Sequence, residues 1–393
     1  MTPPSAKKPD THLRASDARG VAQLATQATL GVARMAEGVH QSVLGTLGAR
    51  APAPGRTGGI TGLVYGGVRG VSGLVGKGID AALHRLQPLL EAAQDAKGTS
   101  DDSPQRAAVV AALNGVLGDR LAAQHNPLAT PMTLRVQGQV LDWTAPPVLP
   151  QATGKVLLFI HGLCMNDLQW QPQDDGVDYA SELAAALGGT PVFVRYNTGM
   201  HTSQNGRELS EQLQQLVQHW PVPLQEISIV AHSMGGLVVR SAAHCAEAEG
   251  AAWRPLLKHI VFLGTPHHGA PLERAGHWVD LVLGSTPYSA PFAKLGQLRS
   301  AGITDLRYGH VQDTDWLGHD RFHRKPDGRR PLPLPAGVAC HTVAATLAAS
   351  RSALAQRLLG DGLVPLRSAL GQHDDPAHRL AFQPHSQLTV HGM

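Results

Sequence analysis

The sequence contains few cysteines and few aromatic residues for its 393 positions. The three cysteines, Cys164, Cys245 and Cys340, form no CxxC pair, which argues against a disulfide framework or a structural zinc site and is typical of a reducing compartment. Aromatic residues make up 4% of the chain, so alanine and glycine supply much of the apolar filling. Hydrophobic residues still reach 42%, which argues for a sizeable core and against disorder throughout.

The chain also lacks a large charge excess and a long apolar run. Its 33 basic and 30 acidic residues give a net charge of +3, so we expect no nucleic-acid partner, which would require a concentrated basic face. No run of about 18 apolar residues is present, so no segment is predicted to span a membrane. Residues Met1 to Gly20 are polar and contain no apolar signal-peptide core, so a cytoplasmic location is expected.

The N-terminal part differs in composition from the rest. Residues Val21 to Leu47 are predicted to form a helix, and Gly62, Gly66 and Gly70 follow at a spacing that gives a helix one smooth face. Such a face is compatible with peripheral membrane association or self-association; the alternative is a small helical subdomain packed on the main body, or a partly ordered loop. A polar linker then predicts an Ala/Gly-rich helical extension over residues 1–105 and a second domain over residues 106–393.

The second domain has the pattern of an α/β protein. Apolar runs bounded by turns alternate with helical stretches, which predicts a mostly parallel sheet with helices on both faces. The predicted strands are 132–136, 139–143, 156–160, 192–196, 227–230, 260–263, 338–344 and 387–390. The predicted helices are 106–124, 177–187, 203–219, 234–248 and 350–359.

One long excursion, residues 270–335, interrupts this alternation. A stretch of this length inside a compact domain usually serves as a lid or a binding loop, so we interpret it as lid-like. It contains a predicted helix over 293–301. It also contains a basic, proline-rich run over 321–335, which we expect to be a solvated face rather than a binding patch.

Ser233 is the strongest candidate for chemistry in the sequence. It follows a predicted strand and precedes a predicted helix, which is the context of a nucleophile elbow that presents the serine hydroxyl above a sheet. The turn requires small residues two positions before and two positions after the serine, and these are Ala231 and Gly235. The usual pattern has glycine at both positions, so Ala231 is a small departure. Met234 opens the helix, whose N-terminal backbone donors would face a developing oxyanion.

A second motif, His161-Gly162-Leu163, follows the first strand of the parallel series. The loop after that strand supplies a further oxyanion donor in serine hydrolases, and Gly162 would let the backbone approach the substrate. We therefore predict Leu163 and Met234 as the oxyanion hole and place His161, Gly162 and His232 beside the substrate. His161 itself is interpreted as shaping the loop rather than acting as a base.

Two further motifs lie later in the chain. Gly264-Thr265-Pro266-His267-His268-Gly269 is a turn, and a metal site at its two histidines is not favoured, because adjacent histidines rarely converge on one ion and no carboxylate cluster accompanies them. Asp361 lies in a Gly-Asp-Gly turn after a late strand, where a triad acid belongs in the chain order serine, aspartate, histidine. The alternative is a turn in which Asp361 only stabilises its own backbone.

These motifs, HGL, AHSMGG, GTPHHGAP and GDGLVP in this order, resemble those of bacterial lipase-like α/β hydrolases, near the group with GPI inositol-deacylase-like domains. The resemblance covers Lys155 to the C-terminus. It implies the α/β-hydrolase fold and hydrolysis of a carboxylic ester, with Ser233 as nucleophile, Asp361 as the orienting acid, and Leu163 and Met234 as oxyanion donors. It implies no cofactor and no metal, and it transfers no particular substrate beyond a small-molecule or lipid ester.

Two other functions remain compatible with the same residues. An acyltransferase would use the same acyl-enzyme on Ser233 with an alcohol as acceptor. A degenerate hydrolase without a working histidine would instead serve as a binding module, anchored through the N-terminal region.

The third member of the triad would be a histidine that acts as the base. A base belongs in the loop after the last strand, and His391 lies near that place, about two positions early for the pattern of the family it resembles. The alternative is that the chain ends before its catalytic histidine. On that alternative we expect low or no activity, because loss of a triad member costs on the order of 10⁴ to 10⁶ in turnover.

Overall fold

A computed structural model describes residues 16, 17, 19, 20, 23, 104–144, 148–171, 176–270, 300–318, 328–346 and 364–391. Contacts divide the chain into two units, residues 1–106 with 125–128, and residues 107–124 with 129–393. The predicted N-terminal helix, the glycine-patterned segment and most of the linker lie outside the described residues. The predicted division at residue 105 therefore stays a prediction.

In the first unit, the described residues are held by polar contacts. Arg106 donates two hydrogen bonds to the carboxylate of Asp17, at 2.5 and 2.6 Å. The side-chain amide of Asn126 donates to the carbonyl of Gly20 at 3.1 Å.

The second unit contains an eight-stranded sheet. Its strands are β1 (Thr133–Val136), β2 (Gln139–Val140), β3 (Lys155–Ile160), β4 (Thr190–Arg195), β5 (Glu226–His232), β6 (Leu257–Leu263), β7 (Ala339–Thr346) and β8 (Gln387–His391). Their order in the sheet is β2-β1-β4-β3-β5-β6-β7-β8. The six strands from β4 to β8 in that order are parallel, and β1 pairs antiparallel with both β2 and β4.

The described α-helices are α1 (Pro104–Ala123), α2 (Tyr179–Ala186), α3 (Thr202–His219), α4 (Met234–Glu249), α5 (Ala301–Tyr308) and α6 (Leu366–Ala369). Among the described residues, no helix combines the length and apolar character needed to cross a membrane. The predicted helix 350–359 lies outside the described residues.

Alternate residues of β3 show how the helices cover the sheet. Val156, Leu158 and Ile160 belong to a buried apolar cluster with residues of α3 and α4. Leu157 and Phe159 belong to a separate cluster that includes α2. Because successive side chains of a strand point to opposite faces, helices lie on both faces of the sheet. A mostly parallel eight-stranded sheet covered in this way is the α/β-hydrolase fold, as the sequence predicted.

Two local predictions were wrong. The strand predicted over 139–143 ends at Val140, because the Asp142 carboxylate accepts hydrogen bonds from the backbone N–H and the hydroxyl of Thr144 and bends the chain. The helix predicted over 293–301 does not include Ser300, whose side chain caps the N-terminus of α5 at Ala301. Residues 293–299 lie outside the described residues.

Part of the predicted lid-like excursion is packed into the domain. Ile303 and Leu306 of α5 are buried in one apolar cluster with Leu163, Met234 and Leu237. The stretch 271–299 lies outside the described residues, so the lid interpretation stays a prediction for that stretch.

Candidate active site

Ser233 lies at the junction of β5 and α4 in a conformation that serine rarely adopts. Its φ is 50° and its ψ is −119°, whereas positive φ is normally left to glycine. Its backbone N–H donates to the carbonyl of Leu263 on the neighbouring strand at 2.8 Å, and its side chain is half-buried. This geometry is that of a strand-turn-helix elbow.

The small residues around Ser233 allow the turn to form. Ala231 is completely buried between β3 and β6, where it pairs with Ile160 and Phe262. A Cβ atom added to Gly235 would lie 2.8 Å from the carbonyl oxygen of His161, so a side chain there would displace backbone. The departure from glycine at Ala231 is therefore accommodated, while Gly235 is required.

The loop after β3 comes into contact with the elbow. A Cβ atom added to Gly162 would lie 3.1 Å from Ser233 Cβ and 3.0 Å from His232 Nδ1. Gly162 thus gives the loop its close approach to the serine. Cys164 has a φ of 60°, and its N–H donates to Thr198 Oγ1 at 3.2 Å, which fixes the turn that Leu163 begins.

The two residues predicted as oxyanion donors lie near Ser233, one in sequence and one through the loop after β3. Leu163 belongs to the loop that contacts the serine, and Met234 is the first residue of α4. Both side chains are buried in the same apolar cluster. The first backbone N–H groups of a helix have no partner within the helix, so Met234 carries a donor of the kind an oxyanion needs.

His161 is completely buried, and its ring presents no surface to a ligand. Its Nδ1 donates to the carbonyl of Gly162 at 2.9 Å, and the ring stacks on Tyr196 with centroids 4.4 Å apart. Burial lowers the pKa of His161 to about 4 and keeps the ring neutral. This placement favours the loop-shaping interpretation over a direct contact with substrate. His232 is half-buried next to Gly162.

The structure does not bring His391 into contact with Ser233. His391 is exposed at the end of β8, where it pairs with Thr346. Both residues lie at the carboxyl edge of the sheet, but β6 and β7 separate β8 from β5. Three strand spacings correspond to about 14 Å. No hydrogen bond joins the two side chains, and Asp361 lies outside the described residues.

A buried polar cluster beside the site was missed by sequence reasoning. The Asp305 carboxylate accepts hydrogen bonds from His201 Nδ1 at 3.0 Å, from the N–H of Thr202 at 2.8 Å and from His310 Nδ1 at 3.1 Å. Burial alone would raise the pKa of Asp305. The hydrogen bonds from His201 and His310 lower it by more, so the pKa lies below its ordinary value. The cluster ties α3 to α5. His201 and Asp305 lie far apart in the sequence, and no local pattern signals the pair.

Two buried cysteine thiols of the domain are poor nucleophiles. Burial raises the pKa of the Cys164 and Cys340 thiols to about 12, so both stay protonated near neutral pH and are poor nucleophiles. Among the residues the structure describes, no group of three or more histidine, cysteine, aspartate or glutamate side chains could hold a metal ion.

Comparisons with known proteins found one matching family model and several similar solved structures. The family model for a domain of unknown function, DUF7379, matches residues 133–305, which is less than half of the chain. No curated protein matches the sequence.

Among solved structures, the mature Bacillus licheniformis lipase BlEst2 is 20% identical over 66% of this chain and 91% of its own, with a TM-score of 0.38. Phospholipase PlaB from Legionella pneumophila is 16% identical over 55% of this chain and 45% of its own, with a TM-score of 0.34. A lipase-esterase related protein from Clostridium acetobutylicum is 13% identical over 49% of this chain and 76% of its own, with a TM-score of 0.29.

Proposed function

We propose that this protein is a serine esterase that hydrolyses carboxylic esters through an acyl-enzyme on Ser233. The observation that carries the proposal is the backbone conformation of Ser233. Its φ is 50°, and the residue lies between a buried strand and the N-terminus of a helix. Such strain is kept where the surrounding structure imposes it, and it clusters at active sites.

In the proposed reaction, Ser233 Oγ attacks the ester carbonyl and transfers its proton to a base. The oxyanion lies within reach of the N–H groups of Leu163 and Met234, and the alcohol leaves with the proton. Water then attacks the acyl-enzyme, which releases the carboxylic acid and returns the proton to Ser233 Oγ.

The nucleophile is tested with a series of nitrophenyl esters of increasing chain length. The matched control is Ser228→Ala, since Ser228 is the third residue of β5 and lies away from the carboxyl end of the strand. We expect the parent and Ser228→Ala to hydrolyse the esters at similar rates. In Ser233→Ala, kcat should fall by about 10⁴-fold or more. Equal hydrolysis by the parent and Ser233→Ala would contradict it.

We propose His391 as the base, with Asp361 as its orienting acid. Its place at the carboxyl edge of β8, the edge that carries Ser233, supports this assignment. Because the two side chains are not in contact, a movement of the chain end must precede proton transfer, and we expect slow turnover.

The base is tested by His391→Ala, with His385→Ala as the matched control, since both histidines are exposed at opposite ends of β8. We expect kcat to fall by about 10² to 10⁴-fold in His391→Ala alone. Equal kcat values in the two variants would place the base elsewhere.

A non-catalytic binding module is the second candidate, favoured by the separation of Ser233 from His391. A fluorophosphonate probe distinguishes the two, because it labels only an activated serine. Failure of the probe to label Ser233, with no ester turned over, would favour the binding module. Labelling with product esters formed in the presence of glycerol would favour acyl transfer.

A further inference from the structure

The direction of the Leu163 N–H, which the proposed reaction uses as an oxyanion donor, is fixed by the carbonyl of the same peptide group. That carbonyl belongs to Gly162, and it accepts hydrogen bonds from His161 Nδ1 at 2.9 Å and from the N–H of Met165 at 3.3 Å. In a planar trans peptide the C=O and the N–H point in opposite directions. The Leu163 N–H therefore points away from these two donors, and whatever holds the Gly162 carbonyl also holds the N–H.

Cys164 is the strained residue of the turn that makes this arrangement. The hydrogen bond from Met165 to Gly162 closes a four-residue turn with Leu163 and Cys164 at its centre. Cys164 has a φ of 60°, in the left-handed region that favours glycine. A residue other than glycine stays in this region only where its surroundings impose the conformation. The contacts of Cys164 therefore decide whether the turn, and with it the Leu163 N–H, keeps its position.

The first contact of Cys164 comes from the loop after β4. Thr198 Oγ1 accepts a hydrogen bond from the Cys164 N–H at 3.2 Å, and Thr198 is 1% exposed. This loop is itself held by α1, because Asn197 Nδ2 donates to the carbonyl of Gly118 at 3.0 Å. Asn197 Oδ1 accepts from the N–H of Gly199 at 3.0 Å. Thr198 thus presents a fixed acceptor to the turn.

The second contact of Cys164 comes from α1 directly. A Cβ atom added to Gly115 would overlap Cys164 Sγ and would lie 3.1 Å from Cys164 Cα. The thiol lies 4.0 Å from the carbonyl of Ala112, one turn earlier in the same helix. Glycine in a helix interior lowers helix stability, and at position 115 it permits this close approach. The side chain of Cys164 is therefore confined between its own turn and the backbone of α1.

We propose that Thr198 and Cys164 are positioning residues of the oxyanion hole, and that α1, through Gly115, sets the position of the Leu163 N–H. The inference rests on the proposed esterase function. It goes beyond that function because it makes the geometry of an oxyanion donor depend on a helix that precedes the sheet and on the loop after β4. Neither contact reaches the substrate, and both act through the turn that Leu163 begins.

The contact with the loop after β4 is tested by Thr198→Val, which keeps the shape of the side chain but leaves the Cys164 N–H without its acceptor. We expect kcat for a nitrophenyl ester to fall by about 10- to 100-fold with KM nearly unchanged. Thr198→Ser keeps the hydroxyl and should retain most of the parent kcat. The matched control is Thr342→Val, since Thr342 is also 1% exposed and its hydroxyl donates to the carbonyl of Ala369 at 2.8 Å. This control should lose stability but not kcat.

The contact with α1 is tested by Gly115→Ala and its repair by Cys164→Ala. The added Cβ atom should push the turn away from α1 and lower kcat by about 10- to 100-fold. In the double variant the sulfur is gone and the two Cβ atoms lie 3.2 Å apart, so most of the lost kcat should return. The matched control is Gly206→Ala on α3, whose Cβ atom would lie 2.5 Å from Ser241 Cβ. This control should lower Tm and leave kcat unchanged.

A trifluoromethyl ketone, which forms a tetrahedral oxyanion adduct with Ser233, separates loss of the oxyanion hole from loss of packing. Its inhibition constant should rise in Thr198→Val and Gly115→Ala by about the factor by which kcat/KM falls. Unchanged kcat and inhibition constants in an active Thr198→Val would overturn the positioning role and leave the esterase proposal standing, even if Gly115→Ala does not fold. Equal falls in Thr342→Val and Gly206→Ala would also overturn it. A parent that hydrolyses no ester would contradict the proposed function itself, and the inference with it.

Discussion

Ser233 and His391 lie at the same edge of one sheet but in differently packed surroundings. Around Ser233, the loop after β3 and the first turn of α4 approach so closely that Gly162 and Gly235 leave no room for a Cβ atom. Around His391, β8 is an edge strand, and its Leu388 and Val390 are exposed. The proposed nucleophile is thus held by backbone contacts on several sides, whereas the proposed base is held by one strand pairing.

The largest difference between the two regions is expected in stability. Ile229 of β5 is 1% exposed, whereas Leu388 of β8 is 55% exposed. Replacing each by alanine removes a similar aliphatic group, and we expect a loss in the free energy of unfolding of about 2–5 kcal/mol for Ile229→Ala and under about 0.5 kcal/mol for Leu388→Ala. Urea unfolding checks this. Equal losses would mean that Leu388 is buried in solution, and the two regions would then not differ in packing.

The next effect concerns pH at the centre of the sheet. His161 has a pKa of about 4 in the folded protein against about 6.5 when unfolded, so the unfolded state binds more protons between these values. The stabilisation is complete above pH 6.5 and is lost as the pH falls towards 4, by about 3 kcal/mol.

The check is urea unfolding across this range with His161→Phe as the comparison. The variant keeps an aromatic ring against Tyr196 but does not titrate. We expect its stability to fall less with acidification than that of the parent, because the variant has one histidine fewer that binds a proton on unfolding. Parallel curves for the two proteins would contradict the assignment.

The smallest effect distinguishes a change in the position of Ser233 from a loss of overall stability. A Cβ atom at Gly162 would lie 3.0 Å from His232 Nδ1, and one at Gly154, just before β3, would lie 3.0 Å from the Pro223 carbonyl. Both alanine variants should therefore cost similar stability. Only Gly162→Ala displaces Ser233, so its kcat/KM should fall by about 10- to 100-fold while that of Gly154→Ala stays unchanged. Ester hydrolysis and thermal unfolding of both variants decide the point.

Sequence reasoning succeeded where the determinants are local. The parallel strands were predicted because apolar runs bounded by turns alternate with helical stretches, as at β3 and β5. The elbow was predicted because its requirements, small residues at 231 and 235, lie within a few positions of Ser233. The strand at 139–143 was overestimated, since one side-chain turn at Asp142 outweighed the apolar pattern.

Features made by distant residues could not be predicted. Asp305 meets His201 across 104 positions, and Arg240 meets Leu332 across 92. Nothing near either residue in the sequence distinguishes a buried partner from a solvated one. The basic run around Arg329 was accordingly expected to be solvated, although the structure turns that side chain towards His267.

The backbone of Ser233 also bears on how this protein responds to selection in the laboratory. A residue held at φ 50° and ψ −119° costs on the order of 1–3 kcal/mol, and glycine would relieve most of it. Screening a mutant library for heat tolerance alone would therefore enrich glycine at position 233. Screening the same library for ester turnover would retain serine, so the two enrichments would diverge most at the residue where folding and chemistry have opposite requirements.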